Sequence, residues 1–303
     1  MTKWFKRIVT VAAGCFAYGV FIERDAFKVR RVSVPILPDG ASDIRILHFS
    51  DLHLLKTNRS RIKFIATLAG LEPDLVVGTG DFIAEPDAVP ALTRALGRLI
   101  DVPGVFVLGS ADYEMPTFRN PFSYLRSTTT RERTKTESSN FSEELTAALS
   151  AGAWENVADR RVEIAVQGSR LEFRGTDDAH LALDNYENVA GRAAAGVIPI
   201  GVTHAPYERV LKAMASDRLR LVFAGHTHGG QVCVPFYGAL TTNCDLNPKY
   251  AKGLSRLRGG SNASYLHVSA GLGTSPTAAF RFACPPEVSL VTLTAKTRKN
   301  QHR

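Results

Sequence analysis

Residues 44–53 read IRILHFSDLH and residues 75–81 read LVVGTGD. Each is a short apolar run that stops at a small residue and then presents a carboxylate, Asp51 or Asp81. Between them, Arg61 to Ala69 places Ile62, Ile65, Ala66, Leu68 and Ala69 on one side at helical spacing. Pro90 to Ile100 repeats that pattern with Pro90 near its first turn, and the run Val105-Phe106-Val107-Leu108 then stops at Gly109. Strand, helix, strand, helix, strand predicts right-handed crossovers on a parallel sheet. Upstream, Val32 to Pro35 reads as an edge strand, because Pro35 cannot donate in a central ladder. Downstream, Ser142 to Leu149 reads as a helix with Ser142 as N-cap, and Arg161 to Val166 pairs with Arg170 to Arg174 as a hairpin. Strands follow at Val197 to Val202, Leu219 to Ala224, Ala263 to Val268 and Glu287 to Leu293. The expected class is α/β: a layered β-sandwich of two mixed sheets flanked by helices.

With 45% hydrophobic and 22% charged residues, the 303-residue chain has the composition of a globular protein with a real core. Its net charge of +8 favours an anionic partner, a phosphorylated substrate or an anionic membrane surface. No helix-turn-helix, zinc-finger or RNA-binding signature accompanies that charge, so no specific nucleic acid is expected. Cys15, Cys233, Cys244 and Cys284 form no CxxC pair; they are read as free, mostly buried thiols.

Lys3, Lys6 and Arg7 precede an apolar run from Ile8 to Ile22, closed by Glu23 and Arg24. The run is shorter than the roughly 20 residues a spanning helix prefers, yet long enough for a tilted anchor or a signal segment. Membrane anchoring is the preferred reading, and a helix packed on the domain is the alternative. Basic residues ahead of the run would hold that end in the cytoplasm and send the domain across. Arg24, Lys28, Arg30 and Arg31 would grip anionic headgroups or form a solvated face. The expected division is an anchor and basic linker at 1–31, one domain at 32–296 with a flexible polar insert at 127–140, and a basic tail at 297–303.

Five blocks carry chemistry: Asp51-Leu52-His53, Gly80-Asp81, Gly109 to Asp112, Thr203-His204, and Gly225-His226-Thr227-His228-Gly229-Gly230-Gln231. Four lie at the carboxyl end of a predicted strand, where α/β proteins place their sites. In extended chain, residues i and i+2 face one way, so Asp51 with His53, and His226 with His228, are expected to point at shared metal. Mixed imidazole and carboxylate suits Mn, Fe or Zn rather than calcium. Six ligands exceed one tetrahedral site, which favours two divalent ions sharing a carboxylate. His48 lies one residue out of phase with the ligand face and is read as structural. Asp177, Asp178 and His180 are read either as cleft residues or as a polar turn. Tyr113 and Phe118, with Pro116 and Pro121, are read as an apolar lip or as ordinary packing.

In order and type these blocks resemble the motifs of the calcineurin-like metallophosphoesterases, over roughly Ile44 to Thr274. The resemblance is to a bacterial branch with an N-terminal hydrophobic segment, which includes diacylglucosamine-pyrophosphatase-like enzymes; Gly175 to Asp178 before His180 also resembles that branch. It implies that Asp51, His53 and His228 hold one metal, that His204 and His226 hold the other, and that Asp81 bridges them. The implied activity is hydrolysis of a phosphoester or pyrophosphate in a phosphorylated small molecule or lipid, with metal-held Asp51 and Asp81 as the catalytic carboxylates. The third block departs from the pattern. Ser110 stands where the family has a ligating Asn, leaving a hydroxyl as the candidate ligand, and Ala111 stands where it has the general-acid His. A missing general acid costs about 10²–10⁴ in rate, so an enzyme remains the expectation. A metal-binding protein that recognises a phosphorylated ligand without turnover is the rival.

Overall fold

The computed structural model describes residues 3–114, 141–257, 264–274 and 278–296. The 127–140 insert, Phe118 with its flanking prolines, and the 297–303 tail lie outside them.

Two six-stranded mixed sheets form the body. The first runs β1 (Lys28–Leu37), β14 (Glu287–Ala295), β2 (Ile44–Phe49), β3 (Leu75–Thr79), β4 (Gly104–Val107), β5 (Trp154–Asn156). Within it β2 through β5 are parallel, and β14 is antiparallel to β2 and parallel to β1. The second runs β12 (Gly253–Leu257), β13 (Ser264–Val268), β9 (Leu221–Ala224), β8 (Val197–Val202), β7 (Ser169–Gly175), β6 (Arg161–Val166). Its inner four strands are parallel, with antiparallel strands at both edges.

Strand alternation explains the layering. In β2, Ile44 and Ile46 enter the core between the sheets, where they meet Phe173, Ile200, Val202 and Phe223. Leu47 and Phe49 point the other way, onto α2 (Arg59–Thr67), α3 (Val89–Leu96) and α5 (Phe141–Leu149) through Ile65, Leu92, Leu96 and Leu145. On the far face, α6 (Glu208–Ser216) covers the second sheet with Val210, Leu211 and Met214. Each such buried side chain contributes on the order of 1.5–3 kcal/mol.

Several bounds differ from the sequence reading. β1 begins at Lys28, so the end of the supposed linker is strand, its backbone paired with β14 from Glu287 onward. Within it Arg30 grips the buried carboxylate of Glu287 at 2.6 Å rather than standing free for a headgroup. Ser142, the expected cap, is a helical residue of α5, and Phe141 before it is buried in the core. α3 stops at Leu96, where Gly97 turns left-handed with φ +49°. As expected, Pro35 lies on an edge strand, and the four cysteines are free with three buried.

α1 (Lys3–Phe21) stands apart. The apolar stretch Trp4–Asp25 is only 6% buried, and the domain touches just its last turns. Phe16 packs on Phe280 at 5.4 Å, the Arg281 N–H donates to the Gly19 carbonyl, and Glu23 accepts from the amides of Ala283 and Cys284.

Candidate metal centre

The carboxyl ends of β2, β3, β8 and β9 meet along one rim, and each delivers part of the site. The spacing of Asp51 with His53 predicted a shared target, but the reason is not extended chain. Asp51, His53, Asp81, His226 and His228 all adopt left-handed backbone, with φ between +38° and +69°. Such conformations cost about 1–3 kcal/mol each and persist only where their surroundings fix them.

Here those surroundings are backbone ladders and buried cations. The amides of Asp51 and His53 donate to the carbonyls of Gly80 and Asp81, which ties the first two loops together. The Asp51 carboxylate accepts the His226 amide at 3.0 Å and so links the two sheets. Arg61 is buried and donates to the carbonyls of Leu52 and His53. Arg281 is fully buried and donates to the carbonyls of Ala270, Gly271, Gly273, Cys284 and His228. Gly273 in turn donates to the Asp51 carbonyl. Neither arginine was singled out from sequence. Their partners are main-chain carbonyls, which carry no residue signature.

Two glycines are required by close approach. A Cβ on Gly225 would lie 1.9 Å from Ser50 Oγ and 2.8 Å from Asp51 Oδ2. One on Gly109 would lie 2.4 Å from Asp81 Oδ1 and 2.6 Å from His204 Cε1.

The ligand atoms converge. Nε2 of His53 lies 3.1 Å from Nε2 of His228 and 3.3 Å from Asp81 Oδ2. His228 Nε2 is 3.6 Å from Asp51 Oδ1. Asp51, His53, Asp81 and His228 thus offer four atoms within 4.8 Å of one another. On the other side of Asp81, its Oδ2 is 3.5 Å from His204 Nε2, which is 3.3 Å from His226 Nδ1. Second partners set the tautomers: His204 Nδ1–H donates to the Thr79 carbonyl at 2.6 Å, and His226 Nε2–H to the Asn243 carbonyl at 3.1 Å. Each ring therefore turns its other nitrogen, Nε2 of His204 and Nδ1 of His226, to the centre. Facing imidazole nitrogens beside two carboxylates, with no hydrocarbon between, fit divalent transition ions.

Electrostatics agree for three of the four imidazoles, and at His204 a metal ion would have to displace a proton. Burial drives His53 down to about 4, and holds His226 and His228 well below the usual histidine range, so all three are neutral donors. Burial also opposes charge on His204, but Asp81, Asp178 and Asp51 outweigh it and raise its pKa well above 6.5. Asp51 is pushed up to about 7 by burial, with His204 pulling the other way and Asp81 adding repulsion. Asp81 is held below the usual carboxylate range: burial works against it, and His204 and His53 prevail.

The third block has a different part from the one its side chains suggested. Ser110 opens the short helix α4 (Ser110–Tyr113), and the Ala111 N–H donates to Asp81 Oδ1 at 2.8 Å. The position with the missing imidazole orients the shared carboxylate through its backbone. Asp112 is a buried clamp: Oδ1 accepts from the amides of Phe82 and Ile83, and Oδ2 from Gly109. His180 reaches the rim with its ring centroid 4.7 Å from that of His226 and Nδ1 3.0 Å from Tyr207 Oη. Asp178 braces it by accepting the His180 amide. Asp177 accepts from Tyr113 Oη at 2.6 Å, so that turn joins the site's wall. His48 is structural: it lies between the sheets, its Nε2 on Thr79 Oγ1 and its Nδ1 on His267.

A two-sheet α/β sandwich with this rim defines a metal-dependent phosphoester hydrolase. Residues 44–230 match the calcineurin-like phosphoesterase family, and the chain belongs to it. It is similar to the uncharacterized metallophosphoesterase YkuE of Bacillus subtilis, 27% identical over 299 residues, which cover 93% of this chain and 91% of that one. It is also similar to a bovine (Bos taurus) transmembrane protein with a metallophosphoesterase domain, 25% identical over 223 residues, 67% of this chain and 45% of the relative. Among solved structures, a 5'-nucleotidase precursor from Thermus thermophilus aligns with a TM-score of 0.46 at 14% identity, covering 83% of this chain and 55% of that one.

Proposed function

We propose that the chain is a two-metal phosphoesterase, anchored to a membrane by α1, that cleaves a phosphoester or pyrophosphate bond. The observation that carries the two-metal reading is the position of Asp81. Its Oδ2 stands between His53 Nε2 and His204 Nε2, at 3.3 and 3.5 Å, with Asp51 and His228 on one side and His226 on the other. In this reading Asp51, His53, His228 and Asp81 hold one ion, and Asp81, His204 and His226 the second. Ser110 is the candidate for a further, weak oxygen ligand. Two bound divalent ions would neutralise phosphoryl charge and supply an activated water.

The chain's own residues do the rest. The Ala111 amide fixes Asp81, and the Thr79 and Asn243 carbonyls fix the imidazole tautomers. His180, braced by Asp178 and Tyr207, is the imidazole at the rim outside the ligand set; it takes the place of the proton donor absent at Ala111.

The anchoring reading rests on the exposure of α1. α1, 19 residues long, spans about 28 Å, against roughly 30 Å of bilayer hydrocarbon. The test is metal analysis of purified full-length protein, followed by hydrolysis of p-nitrophenyl phosphate and bis-p-nitrophenyl phosphate with and without added manganese. About two ions per chain and metal-stimulated turnover are expected; one ion per chain at saturation would overturn the two-metal reading.

A further inference from the structure

The segment that leads out of the metal site's last ligand loop is apolar and bare. After His228 the chain forms a small hairpin, β10 (Cys233–Val234) and β11 (Gly238–Ala239). Val234, Phe236, Tyr237 and Leu240 project from it into solvent, Phe236 fully exposed and Tyr237 78% exposed. These side chains sit on a convex tip, not in a groove, and no folding requirement accounts for aromatic residues there.

The hairpin's neighbour explains its position. Val232 bridges to Phe282; the Cys233 amide donates to the Phe282 carbonyl at 2.8 Å, and the Phe282 amide to the Gln231 carbonyl at 3.1 Å. The residues that hold the hairpin, Phe280 to Cys284, are the same ones on which the last turns of α1 are seated. Helix and hairpin therefore flank that segment: the Arg281 N–H goes to Gly19 of the helix, and the Phe282 N–H to Gln231 at the base of the hairpin. Just past the helix lie Arg24, paired with Asp25 at 3.4 Å, and the exposed Lys28. A spanning helix seated at Phe280 to Cys284 brings the bilayer surface to that segment, and aromatic residues favour the interface.

We infer that the hairpin Cys233–Ala239 is a second bilayer contact, inserting Phe236 and Tyr237 at headgroup level beside the helix. This rests on the anchoring reading of α1. It orients the metal site: the hairpin is flanked by His228 before it and by Asn243, whose carbonyl holds His226, after it. The rim thereby faces headgroups, and the substrate class it suits is the phosphate ester of a bilayer-resident amphiphile.

The chain has two tryptophans, exposed Trp4 in α1 and buried Trp154 in the core, which makes the test direct. Full-length protein is reconstituted in phosphatidylcholine–phosphatidylglycerol vesicles, with and without lipids brominated on the acyl chain near the headgroup. In the parent, quenching of Trp4 reports the anchor. In a Trp4→Phe, Phe236→Trp variant, bromolipid should quench the tryptophan at 236 and its emission should shift to the blue, against a Trp4→Phe control that keeps only Trp154. The side chain at 236 is fully exposed and outside the core, so the variant folds. Quenching of Trp4 without quenching at 236 overturns the hairpin contact and leaves the anchor standing. No quenching at either position overturns both. A blue shift at 236 without bromolipid quenching identifies a protein surface, such as a second copy, and overturns the inference.

Discussion

The protein contains two pairs of histidines whose ring nitrogens lie about as close as hydrogen-bonded atoms can. His53 and His228 meet Nε2 to Nε2 at 3.1 Å, and His48 and His267 meet Nδ1 to Nδ1 at 2.9 Å. Distance and burial do not separate them. Their backbones and neighbours do. His48 and His267 sit inside regular strands β2 and β13, against Thr79 Oγ1 and the Phe223 ring, with no carboxylate in hydrogen-bond reach among the described residues. His53 and His228 sit on left-handed backbone past strand ends, next to Asp51 and Asp81. The first pair spans the gap between two sheets; the second is strained, neutral and flanked by carboxylates, as a site that holds cations requires.

The largest expected effect falls on the carboxylate that only one pair has. Asp81→Asn should bring metal content, read by elemental analysis, toward zero and hydrolysis down to background, whereas His267→Leu should leave both near the parent's values. Parent-level metal in Asp81→Asn would erase the distinction drawn between the pairs. Next in size is the imidazole beside the second pair's site. His180→Ala should lower turnover of alkyl phosphoesters by up to about 10²–10⁴ and barely change p-nitrophenyl substrates, whose leaving groups need no proton. Equal losses on both would assign His180 to binding rather than proton transfer.

A smaller effect belongs to the buried pair. His267→Leu strands His48 Nδ1 and should cost roughly 1–3 kcal/mol in denaturant unfolding. The same pair gives a pH signature. Burial drives His267 down to about 4, with Arg30 adding to it, below the unfolded value of 6.5. The folded chain then binds fewer protons than the unfolded one between those values. Its stability contribution is complete above pH 6.5 and is lost as pH falls toward 4. Thermal unfolding of His267→Leu should accordingly show a shallower acid slope than the parent.

The weakest effect is on metal uptake. Burial pushes Asp51 up to about 7, so protons compete with metal there. Uptake by metal-depleted protein, followed by calorimetry, should weaken as pH drops through about 7 and should be accompanied by proton release below it. An affinity that does not change with pH across that value would show that Asp51 does not limit binding.

Much of this was legible in the sequence, for definable reasons. Alternation in IRILHF placed His48 out of phase with the candidate ligands, and glycine-flanked carboxylates and histidines at strand ends marked those six candidates. The two mixed sheets followed from the order of apolar runs. What escaped has no local period. β5 and β12 are short edge-side strands with little apolar content, and the Cys233–Ala239 hairpin carries its apolar residues outward, against the usual pattern. The i and i+2 argument named residues that do converge, but through left-handed rather than extended backbone, because strain is invisible to residue type. Arg61 and Arg281 read as surface cations in any count of charge, yet both are buried on carbonyls.

The strand order of the first sheet has a consequence in time. β14 lies between β1 and β2, so the two earliest strands never touch and the last one separates them. The Arg30–Glu287 pair closes a loop of 257 residues. During synthesis, Asp51 and Asp81 are made well before β14 and the Arg281 brace. Contacts of such long range form slowly, and a chain waiting for them exposes unpaired strand edges. The half-built rim therefore exists before it can be locked. Full metal-binding competence is a property the molecule acquires once β14 and Arg281 have joined the rim, not when its first ligand loops are made.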